Sequence, residues 1–284
     1  MNYKITILLF IALLSVSTSP IIAKSLVGVP AISISFWRMC IGSFLLWIYS
    51  SYNNQGKMKD QSNYFRTVIA GILLGVHFAL FFGSIKLTLV SNATFLGTLA
   101  PLFTLLLELI VLKRKFSYKI TLGLLFSFIG AIIIFGNSFD LSQKYTLGNF
   151  LAIMCSLCLA LSFMIAEKVR QTENTVVYTR MLYLSASLTL LIIAFCTNTT
   201  LLGFSNYEYL GLIFLGIVPT IIGHNAIYYS VKYVSPTVVS AFPLGEPVIA
   251  TILASIIFGE IIFLNIYIGG LMTLLGLIII ITKK

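Results

Sequence analysis

Ten membrane-spanning helices, folded as two inverted five-helix repeats in an all-α integral membrane protein, are what this sequence predicts, and three observations predict them. Charged residues make up 9% of the 284 positions and hydrophobic types 59%, where soluble domains carry about 25% charge, so a water-soluble globule is excluded. The apolar residues fall in continuous runs such as 122–135, whereas a membrane barrel shows alternating segments of about ten residues. The second half of the chain repeats the first.

With about 20 apolar residues needed per crossing, the spans read as 5–23, 31–52, 67–86, 90–112, 118–136, 147–167, 175–197, 207–231, 235–258 and 262–282. Little remains for loops, so no soluble domain is expected. Lys4, an apolar run and the SVSTS patch at 15–19 have the outline of a signal peptide. Removing that segment would leave nine spans and an unpaired half, so the first span is expected to stay.

Basic residues orient the spans. With the N-terminus inside, 13 of the 18 Lys and Arg lie at inner ends and loops, among them Lys4, Lys57, Arg66, Arg114 and Lys115. Three, Lys24, Lys86 and Lys144, are outer, and Arg38 and Arg180 lie within spans. That bias places both termini in the cytoplasm and accounts for the net charge of +10 without a nucleic-acid partner.

The repeat aligns the fifth and tenth spans at an offset of 146, pairing Gly123 with Gly269, Gly130 with Gly276 and Ile132–Ile134 with Ile278–Ile280. The same offset pairs Pro101 with Pro247, while nearer the starts it drifts to 142 or 143, pairing Arg38 with Arg180 and Ser19 with Ser162. His77 matches His224 when one residue is skipped. The repeats are thus 1–137 and 147–284. Five is odd, so the second copy enters the membrane inverted, an architecture that lets one chain open to opposite sides.

Taken in order, the spans carry few polar groups. Arg38 in the second and Arg180 in the seventh stay charged and prefer carboxylates or phosphates. They could bind an anionic substrate, neutralise Glu246 or Glu108, or snorkel to the interface. His77 in the third and His224, beside Asn225, in the eighth titrate near neutrality when unperturbed. Each reads either as a proton relay or as a neutral ring bonded to a neighbouring helix, the commoner case. Glu108, seven residues after Pro101 in the fourth span, reads as a partner of Lys113 or Arg114. Gly123, Gly130, Gly269 and Gly276 place small residues where helices approach closely. Cys155 and Cys158 sit in an apolar helix and read as core packing.

The ninth span, SPTVVSAFPLGEPVIATILASIIFGE from Ser235, carries Glu246 near its middle. A carboxylate there costs roughly 2.5–3.5 kcal/mol on insertion scales and normally faces a partner, a wet cavity or a substrate. Pro243 and Pro247 flank it, and each lacks the N–H that bonds the carbonyl four residues earlier, leaving Val239 and Pro243 with unused acceptors. Broken backbone beside a buried acid at mid-depth is how transporter binding sites are built.

At this point the chain resembles the EamA branch of the drug/metabolite transporter superfamily. The resemblance rests on the ninth span, on VSNATFLGTLAPLFTLLLELIVLKRKFS from Val90, FWRM around Arg38, SIK around Lys86 and GNFLAIMCSLCLALSFMIAEK from Gly148. It covers both repeats. In that family an acid often follows the proline-bearing helix of each repeat; Glu260 fits, whereas Arg114 stands at the first such place. The resemblance implies movement of small metabolites, such as amino acids or related compounds, across a plasma membrane, most often outward.

Together these readings predict a secondary transporter with a central cavity lined by Arg38, His77, Arg180, His224, Asn225 and Glu246, hinged at Pro101, Pro243 and Pro247. No cofactor and no metal site is expected. The partners are a small-molecule substrate and the bilayer, with a proton or other coupling ion left open, as are monomer and homodimer. The alternative is a membrane enzyme or a non-transporting structural subunit. No H-E-x-x-H, G-x-S-x-G or P-loop pattern supports the enzyme, and a passive subunit gives no reason for two inverted copies.

Overall fold

The computed structural model describes residues 3–88, 90–136, 142–259, 262 and 264–281. Among them lie α1 (Tyr3–Ser25), α2 (Ala31–Tyr52), α3 (Gln61–Leu87), α4 (Val90–Gly97), α5 (Ala100–Ile110) and α6 (Tyr118–Phe135). The second half contains α7 (Thr146–Arg170), α8 (Thr175–Cys196), α9 (Asn206–Leu215), α10 (Asn225–Ser230), α11 (Pro236–Ala241), α12 (Glu246–Phe258) and α13 (Leu264–Ile281). Eight stretches are long and apolar enough to cross a membrane, and Phe95–Ile110 and Tyr118–Ile134 are shorter apolar helices. They form ten crossings in two five-helix halves. Glu260 lies outside the described residues.

The α3, α8, α9 and α11 helices begin where short polar side chains hold free backbone amides. Asp60 accepts from the Ser62 amide at 2.8 Å, which carries α3 six residues beyond the apolar run expected at 67–86. Hydrogen bonds from the Ser62 hydroxyl and amide hold the Asp60 carboxyl below its usual range. Asn174 starts α8 in the same way, and Ser205 with Glu208 forms a capping box at α9.

Packing follows a pseudo-two-fold relation between the halves. The α2 helix packs on α8, α5 on α11 and α6 on α13, each an element meeting its own counterpart or the neighbouring piece of it. The α3–α7 contact is likewise mirrored by α1 against α10 and the segment before it. The relation is reciprocal at atomic level. Ser127 Oγ donates to Thr273 O at 3.2 Å, and Thr273 Oγ1 donates to Ser127 O at 3.4 Å. A β-carbon on Gly123 would stand 2.6 Å from the Gly276 carbonyl oxygen, and one on Gly269 would stand 2.5 Å from that of Gly130. These glycines therefore belong to the internal seam. Because backbone is the obstacle, Gly276→Leu is expected to destabilise the protein by about 3 kcal/mol or more, read as a fall in the detergent unfolding midpoint. An unchanged midpoint would show that α6 and α13 do not meet there.

Three crossings are not continuous α-helices. In the first half the chain breaks between α4 and α5, with Thr98 N–H donating to Phe95 O at 3.1 Å and Leu99 N–H to Leu96 O at 3.3 Å. Pro101 then sits in the first turn of α5. In the second half a 3₁₀ turn, Phe242–Gly245, separates α11 from α12, with Pro243 in the turn and Pro247 in the first turn of α12. The expectation that Val239 and Pro243 keep unused carbonyls is corrected here. The Phe242 N–H bonds Val239 O and the Glu246 N–H bonds Pro243 O, because tightening to i+3 spacing recruits the next available amides. The third irregularity was not expected: Gly216–His224 winds as a π-helix around Pro219, and Thr220 Oγ1 donates five residues back to Leu215 O at 2.8 Å.

Lys4 and Ile280 line one cavity, so the start of α1 and the end of α13 lie at the same end of the bundle, hereafter the terminal face.

Candidate functional site

The α2, α3 and π-helical segments bring three of the expected residues, Arg38, His77 and His224, together around the Phe78 ring. The Arg38 guanidinium carbon stands 5.3 Å from that ring's centroid, with His77 at 5.0 Å and His224 at 6.4 Å. Arg38 is 4% exposed. One terminal nitrogen donates to Ser19 Oγ at 3.0 Å, while Nε is buried with no hydrogen-bond partner. Glu246 begins α12 directly after the 3₁₀ turn. It lies in electrostatic range of Arg38, yet among the described residues no ion pair within 4.0 Å joins the two.

The histidines differ. His77 Nδ1 stands 2.9 Å from the Cys155 carbonyl oxygen, the bond to a neighbouring helix expected of it, and 3.4 Å from Cys155 Sγ. His224 Nδ1 is buried without a partner, so the expected bond to a neighbouring helix is not made at that atom. The π-helical winding just before it shifts the ring away from the phase an α-helix would impose. Asn225 Oδ1 accepts from the Tyr183 hydroxyl at 3.1 Å, and Tyr183 is itself in electrostatic range of Arg38.

Arg180 is used elsewhere. Its guanidinium donates to Ser50 Oγ, to Gln55 O at 3.2 Å and to Gly56 O at 2.7 Å. It also stacks 4.2 Å over the Trp47 ring. The matched arginines of the two halves thus have opposite fates: Arg180 closes the loop after α2, and Arg38 keeps a free donor. Glu108 meets the expectation of an Arg114 partner, at 2.5 Å, and Arg114 also reaches Glu167 at 2.7 Å. Those bonds, Glu167 first, hold the Arg114 guanidinium above its ordinary pKa.

A cavity of about 1130 Å³ opens at the terminal face between α1, the α5–α6 linker, α8, α10 and α11. Lys4, Arg114, Lys115, Asn225 and Tyr229 are among the residues lining it. Arg38, His77, His224 and Glu246 are not in its wall, which includes Ile221, Ile222 and Asn225 on either side of His224 in sequence.

Sequence reasoning missed Ser19, Phe78 and Tyr183 as members of this cluster. Ser19 did leave a trace, its match with Ser162 in the repeat, whereas Phe78 and Tyr183 are indistinguishable from other aromatic core residues.

Two inverted five-helix halves whose crossings break at matching points, beside a buried arginine and an unpaired carboxylate, define a multi-pass membrane transporter. The sequence model of the EamA-like transporter family matches residues 4–136 and 146–282, and the chain belongs to that family. It is 24% identical over 254 residues to an uncharacterized transporter of Archaeoglobus fulgidus, covering 89% of each chain. It is 22% identical over 262 residues to the uncharacterized transporter YdfC of Bacillus subtilis, covering 92% of this chain and 85% of YdfC. A crystal structure of a 17% identical chain superposes with a TM-score of 0.85 over 98% of this chain and 96% of its own, a likeness of fold.

Proposed function

We propose that this protein is a secondary transporter that exports small metabolites, amino acids or related compounds among them, across the plasma membrane by alternating access, with both termini cytoplasmic. The observation that carries the substrate reading is the buried Arg38 with one nitrogen on Ser19 and Nε unpartnered, facing a Glu246 that forms no ion pair with it. A buried guanidinium is costly unless its donors are met, and a carboxylate or similar anionic group would meet them. Glu246 would receive a cationic group on the same molecule. Phe78 and the two histidines supply an aromatic wall, and Asn225 links this centre to the terminal-face cavity. Pro101, Pro243 and Pro247 mark the breaks about which the halves would rock. Arg180 serves as scaffold in this reading.

Counterflow in proteoliposomes, with amino acids, nucleotides and cationic drugs as separate preloads, tests it. An overshoot of a carboxylate-bearing compound is expected. Overshoot only with compounds lacking an anionic group would overturn the role given to Arg38, and no overshoot with any class would overturn the proposed substrate range.

A further inference from the structure

Charged contacts join the two halves at both faces, at positions related by the repeat. At the terminal face Arg114, in the α5–α6 linker, donates to Glu108 at 2.5 Å and to Glu167 of α7 at 2.7 Å. Glu108 is 0% exposed, and its other oxygen accepts from the Thr237 amide at 2.9 Å and from the Thr237 hydroxyl, in the first turn of α11. Arg114 and Glu108 therefore tie the end of α5 to two helices of the other half. At the opposite face Lys24 Nζ, at the end of α1, lies 5.3 Å from the centroid of Phe258, at the end of α12, again joining first half to second.

The internal register relates the two contacts. An offset of 143 matches Ile22-Ala23-Lys24 with Ile165-Ala166-Glu167, and 146 matches Phe258-Gly259 with Leu112-Lys113. The backbone agrees, since Lys113 (φ 50°) and Gly259 (φ 68°) both turn left-handed just beyond α5 and α12. Lysine adopts that conformation rarely. Its use here directs the chain so that Arg114 turns back onto Glu108, whose carbonyl also accepts from the Arg114 amide at 2.9 Å.

We propose that these contacts are the two clasps of the transport cycle. The Arg114–Glu108–Glu167 cluster holds α5, α7 and α11 together at the terminal face, and Lys24 holds the α12 end at the opposite face. Each parts only when its own face opens. Both clasps are made in this structure, in agreement with the full burial of Cys155 beside His77. Charge-assisted bonds to a desolvated carboxylate are strong enough to hold a face shut, while the partial exposure of Arg114 lets water replace Glu167 as the face parts. The purpose assigned to the clasps rests on the transporter reading; the clasps themselves can be tested without it.

Cys155 is a native probe of the centre. In protein retaining Cys155 alone, reconstituted in vesicles of known orientation, its modification by an impermeant methanethiosulfonate is followed from each face. Glu167→Gln is expected to raise the rate about tenfold from the terminal face only, and Lys24→Met to raise it from the opposite face only. Arg114→Lys, which keeps the charge but loses the guanidinium whose Nη1 bonds both acids, should give a smaller rise than Glu167→Gln from the terminal face. Unchanged rates in all three variants, or rises from both faces together, would overturn the clasps. Face-specific rises in a protein that fails every counterflow assay would instead uphold the clasps and overturn the transporter reading.

Discussion

Arg38→Lys is expected to weaken substrate half-saturation by about 30-fold, the equivalent of roughly 2 kcal/mol for lost hydrogen bonds to a charged group. Positive charge is kept in this variant. What is lost is the planar fork, which in the structure places one nitrogen on Ser19 Oγ and Nε in a buried position with no partner. A lysine ammonium cannot present two parallel donors to a carboxylate, nor lie over the Phe78 ring as the guanidinium does. Counterflow at equal reconstituted protein measures the effect, and wild-type half-saturation and rate would return Arg38 to a packing role. Arg180→Lys is the informative partner experiment. Its guanidinium is spent on Ser50, Gln55 and Gly56, so that change should lower the unfolding midpoint while leaving half-saturation unchanged.

Glu246→Gln is expected to depress substrate exchange and gradient-driven uptake alike, by about tenfold or more. The change keeps the shape of the side chain and most of its hydrogen-bonding capacity but removes both its charge and its titration. If Glu246 is the fixed counter-charge for a cationic group, both modes need it equally. That reading rests on Glu246 standing in electrostatic range of Arg38 with no ion pair joining the two among the described residues. Loss of proton-driven accumulation with exchange largely intact would make Glu246 the proton carrier instead. Wild-type behaviour in both modes would exclude either role.

The crossings and the repeat were legible in the sequence because both rest on strong one-dimensional signals. A lipid environment demands unbroken apolar runs, and Gly123/Gly269, Pro101/Pro247 and Ile132–Ile134/Ile278–Ile280 recur at one offset. Both broken crossings were legible through their prolines, although the 3₁₀ turn that satisfies Val239 and Pro243 was not, since it depends on which amides the local winding presents. The π-helix at Gly216–His224 escaped for a similar reason: Pro219 predicts a disturbance, not its type. The site was legible in part. Arg38, His77, His224 and Glu246 were singled out as polar groups in apolar spans, and the fold gathers them. Arg180 carried the same signal at the matching position, and only its partners in the 50–56 loop, some 125 positions away in sequence, set it apart. Glu108, Arg114 and Glu167 form a cluster for the same reason, through proximity across halves that no local pattern encodes.

The central claim is that this chain opens alternately to its two faces. It is tested most directly by spin-label distances measured with and without a transported substrate. Ser117 and Thr175 stand in the wall of the terminal-face cavity, and Val27 and Ile257, both exposed, flank the Lys24–Phe258 contact at the other face. Each pair is predicted to show two distance populations, which substrate shifts in opposite senses at the two faces. A single distance at each face, unmoved by a substrate that binds, would contradict the account.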